Sequence, residues 1–319
     1  MLAGRPSSNP VALCLGVFDG VHRGHIAIIN AARRFISGVS GGRVLALTFD
    51  PHPTRIIHPE SPQALLQSLP ARVVALEQAG CDQVIVLPFN RELSKRSPEE
   101  FWTILQHLVP GRILGIFAGQ NWRFGAGRNG TLAQLSRLAN STASTVIGVP
   151  PVLNRGQVIS STWIRNLVTS ADFASIPPLL GRSFELSGMV VTGQKMARTW
   201  GFPTANLYPA EECLPPNGVY SGWTRLPERP PVWTICNLGV RPSLGGDQSN
   251  RILEAHLFDF DEDLYGRSIR FEPVYQIREE QKFPSIESLK RQISEDVALA
   301  KTQGSQFGMC RDGDCSPIS

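Results

Sequence analysis

Two histidines three positions apart, His22 and His25, lie in the stretch Asp19-Gly-Val-His-Arg-Gly-His25. Before them, residues 11–18 (VALCLGVF) form an apolar run that reads as a buried strand. After them, Ile26, Ile29, Ala32 and Arg33 recur at helical spacing. The two imidazoles therefore belong on one side of a helix's first turn. That turn leaves backbone N–H groups unpaired and carries partial positive charge, which suits a phosphate. Gly20 and Gly24 allow the backbone to approach a ligand closely. Two imidazole donors at such a place fit a reaction in which negative charge grows on phosphate oxygens. Zinc ligation is an alternative, but further ligands at suitable spacing are missing. Ordinary cap and turn residues are another. A Rossmann dinucleotide turn would need GxGxxG, which is absent.

Further candidates follow other apolar runs. Residues 43–49 (RVLALTF) read as a strand and end in Asp50-Pro-His52-Pro53. Residues 112–118 (RILGIFA) lead into Gly119-Gln-Asn121-Trp122-Arg123-Phe124-Gly125. After a strand at 145–149 comes Ile159-Ser160-Ser161-Thr162-Trp-Ile-Arg165. That last group reads as a capped helix start with an arginine one turn in. Its hydroxyls, N–H groups and guanidinium together make an anion site. Each group also has a plain structural alternative: a simple N-cap, a rigid turn at 50–53, core packing for Trp122 and Phe124. Their common location at strand ends favours a site.

The elements that position them alternate. A helical pattern spans 64–80 and closes at Gly80, a strand follows at 83–87, and Ser97-Pro-Glu-Glu opens a helix with Ser as N-cap. A short helix falls at 132–138. Such alternation predicts an α/β doubly wound parallel sheet with ligands at the carboxyl ends of its strands.

Pro177-Pro178 followed by Gly181-Arg182 marks a boundary, predicting domains at 1–178 and 179–303 and a disordered tail at 304–319. Short strand-like runs at 184–192, 218–225, 232–238, 253–258 and 269–275 predict an antiparallel β-barrel or sandwich. A helix at 285–301 closes it, with Ile286, Leu289, Ile293, Val297 and Ala300 on one face. Within this half, Thr204 and Asn206 offer a hydroxyl and an amide oxygen on a proline-stiffened loop, donors suited to Mg²⁺ beside phosphates. A β-turn with satisfied side chains is the alternative. Strand alternation puts Glu254, His256 and Phe258 on one face, where Glu254 is either the base for an alcohol or a solvated carboxylate. The acidic run 259–263 lacks the spacing of a calcium loop.

The 319 residues favour two domains. Apolar content of 42% and charged content of 18% are those of an ordinary globular chain with real cores. Net charge is +4 and pI 8.8, with no basic block of the kind a nucleic-acid surface needs. No apolar run approaches the roughly 20 residues of a membrane span, and residues 1–10 lack the apolar core of a signal peptide. Cytoplasm is the expected compartment. The six cysteines are scattered at 14, 81, 213, 236, 310 and 315. Cys14 and Cys81 read as buried thiols, and Cys310 and Cys315 flank the polar string CRDGDC.

The string from Gly16 to His25 resembles the GxFDGxHxGH signature of the FAD synthetase branch of the nucleotidyltransferases. The TFDPHP, GQNWRFG and ISSTWIR strings resemble three further signatures of bacterial bifunctional riboflavin kinase/FMN adenylyltransferases, although Asn121-Trp122 stands where many members have Asp-Phe. The strings GRSFELSGMVVTGQKMARTWGFPTANL, NLGVRPSLGG and REEQKF resemble the riboflavin kinase module, with Gln194-Lys-Met-Ala197 where many members are glycine-rich and basic. The resemblance runs from about Val11 to Lys301.

It implies two ATP-dependent steps: phosphorylation of riboflavin to FMN with Mg²⁺, then adenylylation of FMN to FAD with release of pyrophosphate. By family position, His22, His25, Arg165 and Glu254 are the catalytic candidates. Gly16, Phe18, Asp19, Gly20, Gly24, Ser160, Ser161, Thr162, Gly193 and Lys195 are candidates for ATP and its phosphates. Asp50, His52, Pro53, Asn121, Arg123 and Phe124 are candidates for flavin, and Thr204 and Asn206 for the metal. The rival functions are a chain with one working module and a flavin- or nucleotide-binding protein without turnover. An RNA-binding protein is disfavoured by the missing basic stripe. Oligomeric state is left open.

Overall fold

The first strand is the sheet's centre because its apolar run from Val11 to Leu15 cannot face water. Val11, Ala12, Leu13, Cys14 and Leu15 are all fully buried in β1 (Pro10–Leu15). Burying a Val or Leu side chain is worth about 1.5–3 kcal/mol, against about 1–2 kcal/mol to order its backbone, so such a run is stable only inside. Its alternate residues serve two cores. Val11, Leu13 and Leu15 pack with Phe101, Trp102 and Leu105 of the helix Pro98–Leu108. Ala12 and Cys14 pack with Ile28, Ile29 and Ala32 of α1 (Arg23–Ile36).

The computed structural model describes residues 9–191, 203–210, 212–240 and 251–307. The chain divides into two compact units, Met1–Trp163 with Leu179–Gly181, and Ile164–Pro178 with Arg182–Ser319. In the first, β1 is flanked by β2 (Arg43–Asp50), β3 (Gln83–Pro88), β4 (Arg112–Gly119) and β5 (Thr145–Val149). Their order is β3-β2-β1-β4-β5, all parallel. The order reverses between β1 and β4, and the crevice at their carboxyl ends is where such sheets bind ligands.

The helix expected over 64–80 begins only at Leu69. The backbone N–H groups of Leu66 and Gln67 donate to the Asp19 carboxylate instead, at 3.0 and 3.3 Å. That long-range bond holds 65–67 as a loop until Ser68 and Pro70 start the helix. Ser97 caps its helix as expected and forms a capping box with Glu100.

After β5 a short antiparallel pair, β6 (Leu153–Asn154) and β7 (Gln157–Val158), ends the first unit's strands. In the second unit, β8 (Leu186–Val191), β9 (Ala205–Leu207), β10 (Gly218–Arg225), β11 (Val232–Val240), β12 (Arg251–Leu257) and β13 (Ser268–Glu279) close a barrel in the order β10-β11-β12-β9-β8-β13. Every pairing is antiparallel. Among the described residues, full closure leaves the barrel no unpaired edge strand. The closing helix, Ile286–Ser305, is longer than expected. Its inward contacts lie late: Ala300 and Val297 join Val219, Trp223, Trp233 and Ile235, and the Trp233 indole donates to the Ala300 carbonyl at 2.7 Å. Ile286, expected on the inner face, is 58% exposed, because the helix's first turn extends beyond that cluster. Phe307 packs tilted against Trp233, with ring centroids 5.4 Å apart. Cys310 and Cys315 lie outside the described residues.

Candidate active sites

The turn between β1 and α1 is strained. Phe18, Gly20 and Val21 have φ of 57°, 83° and 38°. Left-handed backbone at a buried Phe and a β-branched Val is rare and persists only where the surroundings enforce it. The turn is built to tolerate it. Gly16 leaves room for the Phe18 ring, which a Cβ would meet at 2.9 Å, and a Cβ on Gly20 would meet Leu66 at 2.8 Å. The strain delivers His22 as N-cap of α1 and His25 at its third residue. The two rings stack at 3.7 Å between centroids, with 16° between planes, and the Phe18 ring edge-packs on His25 at 5.2 Å. His22 is buried. Gly24 leaves this stack room, since a Cβ there would lie 3.0 Å from the His22 ring.

Asp19 is buried, and its carboxylate accepts the Leu66 and Gln67 N–H bonds described above. It thus ties the turn to residues 66 and 67. Its carbonyl accepts from Ser161 Oγ at 2.8 Å, which brings the ISST segment against the same turn. Ser160 Oγ accepts from Trp163 N at 3.2 Å, a capping bond at the start of the helix Ser161–Thr169. Thr162 is exposed, and Arg165 stands half-buried one turn along this helix. Two helix N-termini therefore converge on residues 16–25, each a natural place for phosphate.

Asp50 ends β2, and the Asp50–Pro51 peptide is cis. His52 is buried and caps the helix Pro53–Ile57, its Nδ1 accepting from Thr54 N. On the loop after β4, Asn121 and Arg123 are exposed. Phe124 is buried in the core, stacked on Trp122 at 5.0 Å. Because β2, β1 and β4 are neighbours, these loops lie side by side at the sheet's carboxyl edge.

In the barrel, Asn206 pairs with Glu254, and Glu254 with Asn237 on its other side. Residues directly opposite in antiparallel strands have Cβ atoms about 4.5–5.5 Å apart on the same face. Register thus makes a polar row, Asn206–Glu254–Asn237. Asn206 is buried, Glu254 half-buried and Asn237 exposed. Sequence reasoning missed Asn237 because its neighbourhood to Glu254 exists only through register. Thr204 and Asn206 line a cavity of about 450 Å³ together with Ala255, Asp261, Asp263 and Tyr265. His256 is held by a 2.8 Å bond to the Pro203 carbonyl, and burial holds its pKa below the ordinary value, helped by nearby Lys301. Gly193 and Lys195 lie outside the described residues. Among the described residues, no group of three or more His, Cys, Asp or Glu is arranged to hold a metal ion.

A doubly wound sheet with stacked histidines at a helix N-terminus, followed by a closed barrel with a strand-borne carboxylate, defines a two-module, phosphate-handling transferase. Comparison with known proteins narrows this. The FAD synthetase family model matches residues 5–163 and the riboflavin kinase family model residues 180–303. The chain belongs to the bifunctional riboflavin kinase/FMN adenylyltransferase family. It is 36% identical over 299 residues to the enzyme of that name from Pseudomonas fluorescens, covering 93% of this chain and 94% of that protein. It is 32% identical over 296 residues to the one from Escherichia coli K12, covering 91% of each. A crystal structure described as a macrolide-efflux protein from Streptococcus pneumoniae shares the fold, with a TM-score of 0.78 at 26% identity over 93% of this chain and 95% of that one. Among the described residues here, no helix is long and apolar enough to cross a membrane.

Proposed function

We propose that the protein makes FAD from riboflavin in two steps, each with its own residues. As a riboflavin kinase and FMN adenylyltransferase, it uses ATP in both. In the barrel, Glu254 takes the proton of the riboflavin 5′-hydroxyl, that oxygen attacks the γ-phosphorus of ATP, and ADP leaves. Thr204 and Asn206 fit Mg²⁺, which takes oxygen ligands and is usually completed by water and substrate phosphates. When bound, the ion would neutralise phosphate charge. The pairing of Asn206 beside Glu254 supports placing metal and base at one spot.

In the parallel-sheet half, a phosphate oxygen of FMN attacks the α-phosphorus of a second ATP. One P–O bond forms, the α–β bridge breaks, and pyrophosphate departs without a covalent enzyme intermediate. His22 and His25 stabilise the charge that develops, and Arg165 is the further candidate for that role by its family position. Gly16, Gly20, Gly24, Ser160, Ser161 and Thr162 shape the phosphate site, and Asp50, His52, Pro53, Asn121 and Arg123 border the flavin. The observation that carries this reading is the histidine stack at the N-terminus of α1. A cytoplasmic enzyme with kinase and adenylyltransferase domains meeting near residue 178 fits these features.

The test is chromatography of products after incubation with riboflavin, ATP and Mg²⁺. FMN and FAD together are expected. FAD from supplied FMN alone would leave a single working module, and neither product would leave a binding protein.

A further inference from the structure

Arg72 is fully buried in the helix Leu69–Gln78, among the least expected places for a guanidinium. Its Nη1 donates to the Val17 carbonyl at 3.1 Å and its Nη2 to the Phe49 carbonyl at 3.2 Å. The Asp50 carboxylate lies 4.0 Å away. Thr48 Oγ1, also fully buried, donates to the same Val17 carbonyl at 2.8 Å. Val17 immediately precedes the strained turn that presents His22 and His25. Phe49 and Asp50 end the strand that leads to the proposed flavin loop. Burial pulls the Arg72 pKa down, with Asp19 and Asp50 opposing, so a charge is kept here at a desolvation cost. A fork that spans two carbonyls is something arginine's planar donors do and a lysine's point charge does not.

We infer that Arg72, with Thr48, is a positioning latch for FMN adenylylation: it bolts the β1–α1 turn to the end of β2 and so fixes His22 and His25 relative to the loop facing the flavin. The inference rests on the adenylyltransferase reading of this half. If the unaltered protein makes no FAD from FMN, that reading fails; the latch is judged only against a parent that does.

The experiment is steady-state FMN adenylylation by the full chain carrying Arg72→Met, Arg72→Lys or Thr48→Val, with FMN formation from riboflavin read on the same samples. Rates are expressed per folded molecule from thermal unfolding. A misplaced catalytic geometry costs on the order of 100-fold, which is expected in kcat for Arg72→Met, with the KM for ATP held within about 3-fold. Arg72→Lys should recover part of the rate. Thr48→Val removes one of two donors to Val17 and should lower kcat by about 10-fold. Kinase turnover should be unchanged throughout. A lowered unfolding temperature with parental kcat per folded molecule would make Arg72 a structural cation only and overturn the latch. So would a raised KM for FMN at unchanged kcat. If Arg72→Met does not fold, Thr48→Val and Arg72→Lys decide the matter by the same criteria.

Discussion

The two halves assemble phosphate chemistry by opposite means. In the parallel-sheet half, the candidate groups hang on turns at strand ends, and the helix N-termini of α1 and Ser161–Thr169 supply backbone N–H groups already aimed at the crevice. In the barrel, the candidate groups stand on the strands themselves, and Asn206 and Glu254 meet because β9 and β12 are in register. The first kind of site depends on a strained, contiguous stretch held from below. The second depends on the pairing of strands far apart in sequence. A side chain lost from either should silence one transfer and spare the other.

The largest expected effect is in the barrel. Glu254→Gln keeps size and hydrogen-bonding reach but cannot take a proton at neutral pH. Loss of a general base costs about 10²–10⁴-fold, so kinase turnover should fall by that order with riboflavin affinity nearly constant. FAD formation from supplied FMN should continue. An almost unchanged kinase rate would make Glu254 a solvated carboxylate. A joint loss of rate and ATP affinity would move it to metal or nucleotide binding.

Next is His25→Ala, the mirror experiment. Removing one donor to a developing oxyanion costs about 10²–10³-fold, to be read as FAD formed from FMN, with riboflavin phosphorylation intact. Parental adenylylation by this variant would remove His25 from the step. A smaller effect should follow from Gly24→Ala, whose methyl would press on the His22 ring from 3.0 Å. About a 10-fold fall in adenylylation is expected from the displaced stack. An unaffected rate would mean that the ring position matters little.

The smallest effect concerns pH. The folded pKa of His256 lies below its ordinary value, so the folded barrel favours the neutral ring. The unfolded chain then binds more protons in the window below about pH 6.5, and stability contributed by this residue is full above that window and lost as pH falls through it. The thermal midpoint of the barrel should therefore drop on acidification, and His256→Asn, which keeps a donor for the Pro203 carbonyl, should flatten that slope. An equal slope in the variant would assign the acid sensitivity to other groups.

What could be read in the sequence follows the same division. His22, Gly24 and His25 announce themselves because a strand, a turn and a helix start leave local marks. The strand at 145–149 and the Ser97 cap were legible for that reason. The helix start at Leu69 was not, because a distant carboxylate, Asp19, takes the N–H groups of Leu66 and Gln67. Arg72 was hidden likewise: a single arginine in an apolar helix gives no sign of one carbonyl just past β1 and another at the end of β2. In the barrel, Glu254 was visible as a strand carboxylate and Asn206 as an oxygen donor, whereas their pairing, and Asn237 beside Glu254, were fixed by register that no local pattern encodes.

The contact between Trp233 and the closing helix also sets a timetable for synthesis. A Cβ on Gly304 would lie 2.5 Å from the Trp233 ring, so the helix seats in one axial position, with Ala300 and Phe307 completing the aromatic cluster. Those residues emerge from the ribosome well after the strands they cover. All five strands of the parallel sheet have been made by Val149, and the last segment of that unit by Gly181. The nascent chain can therefore finish its first unit while the second, made later, still exposes Trp223 and Trp233 to solvent and to any waiting chaperone.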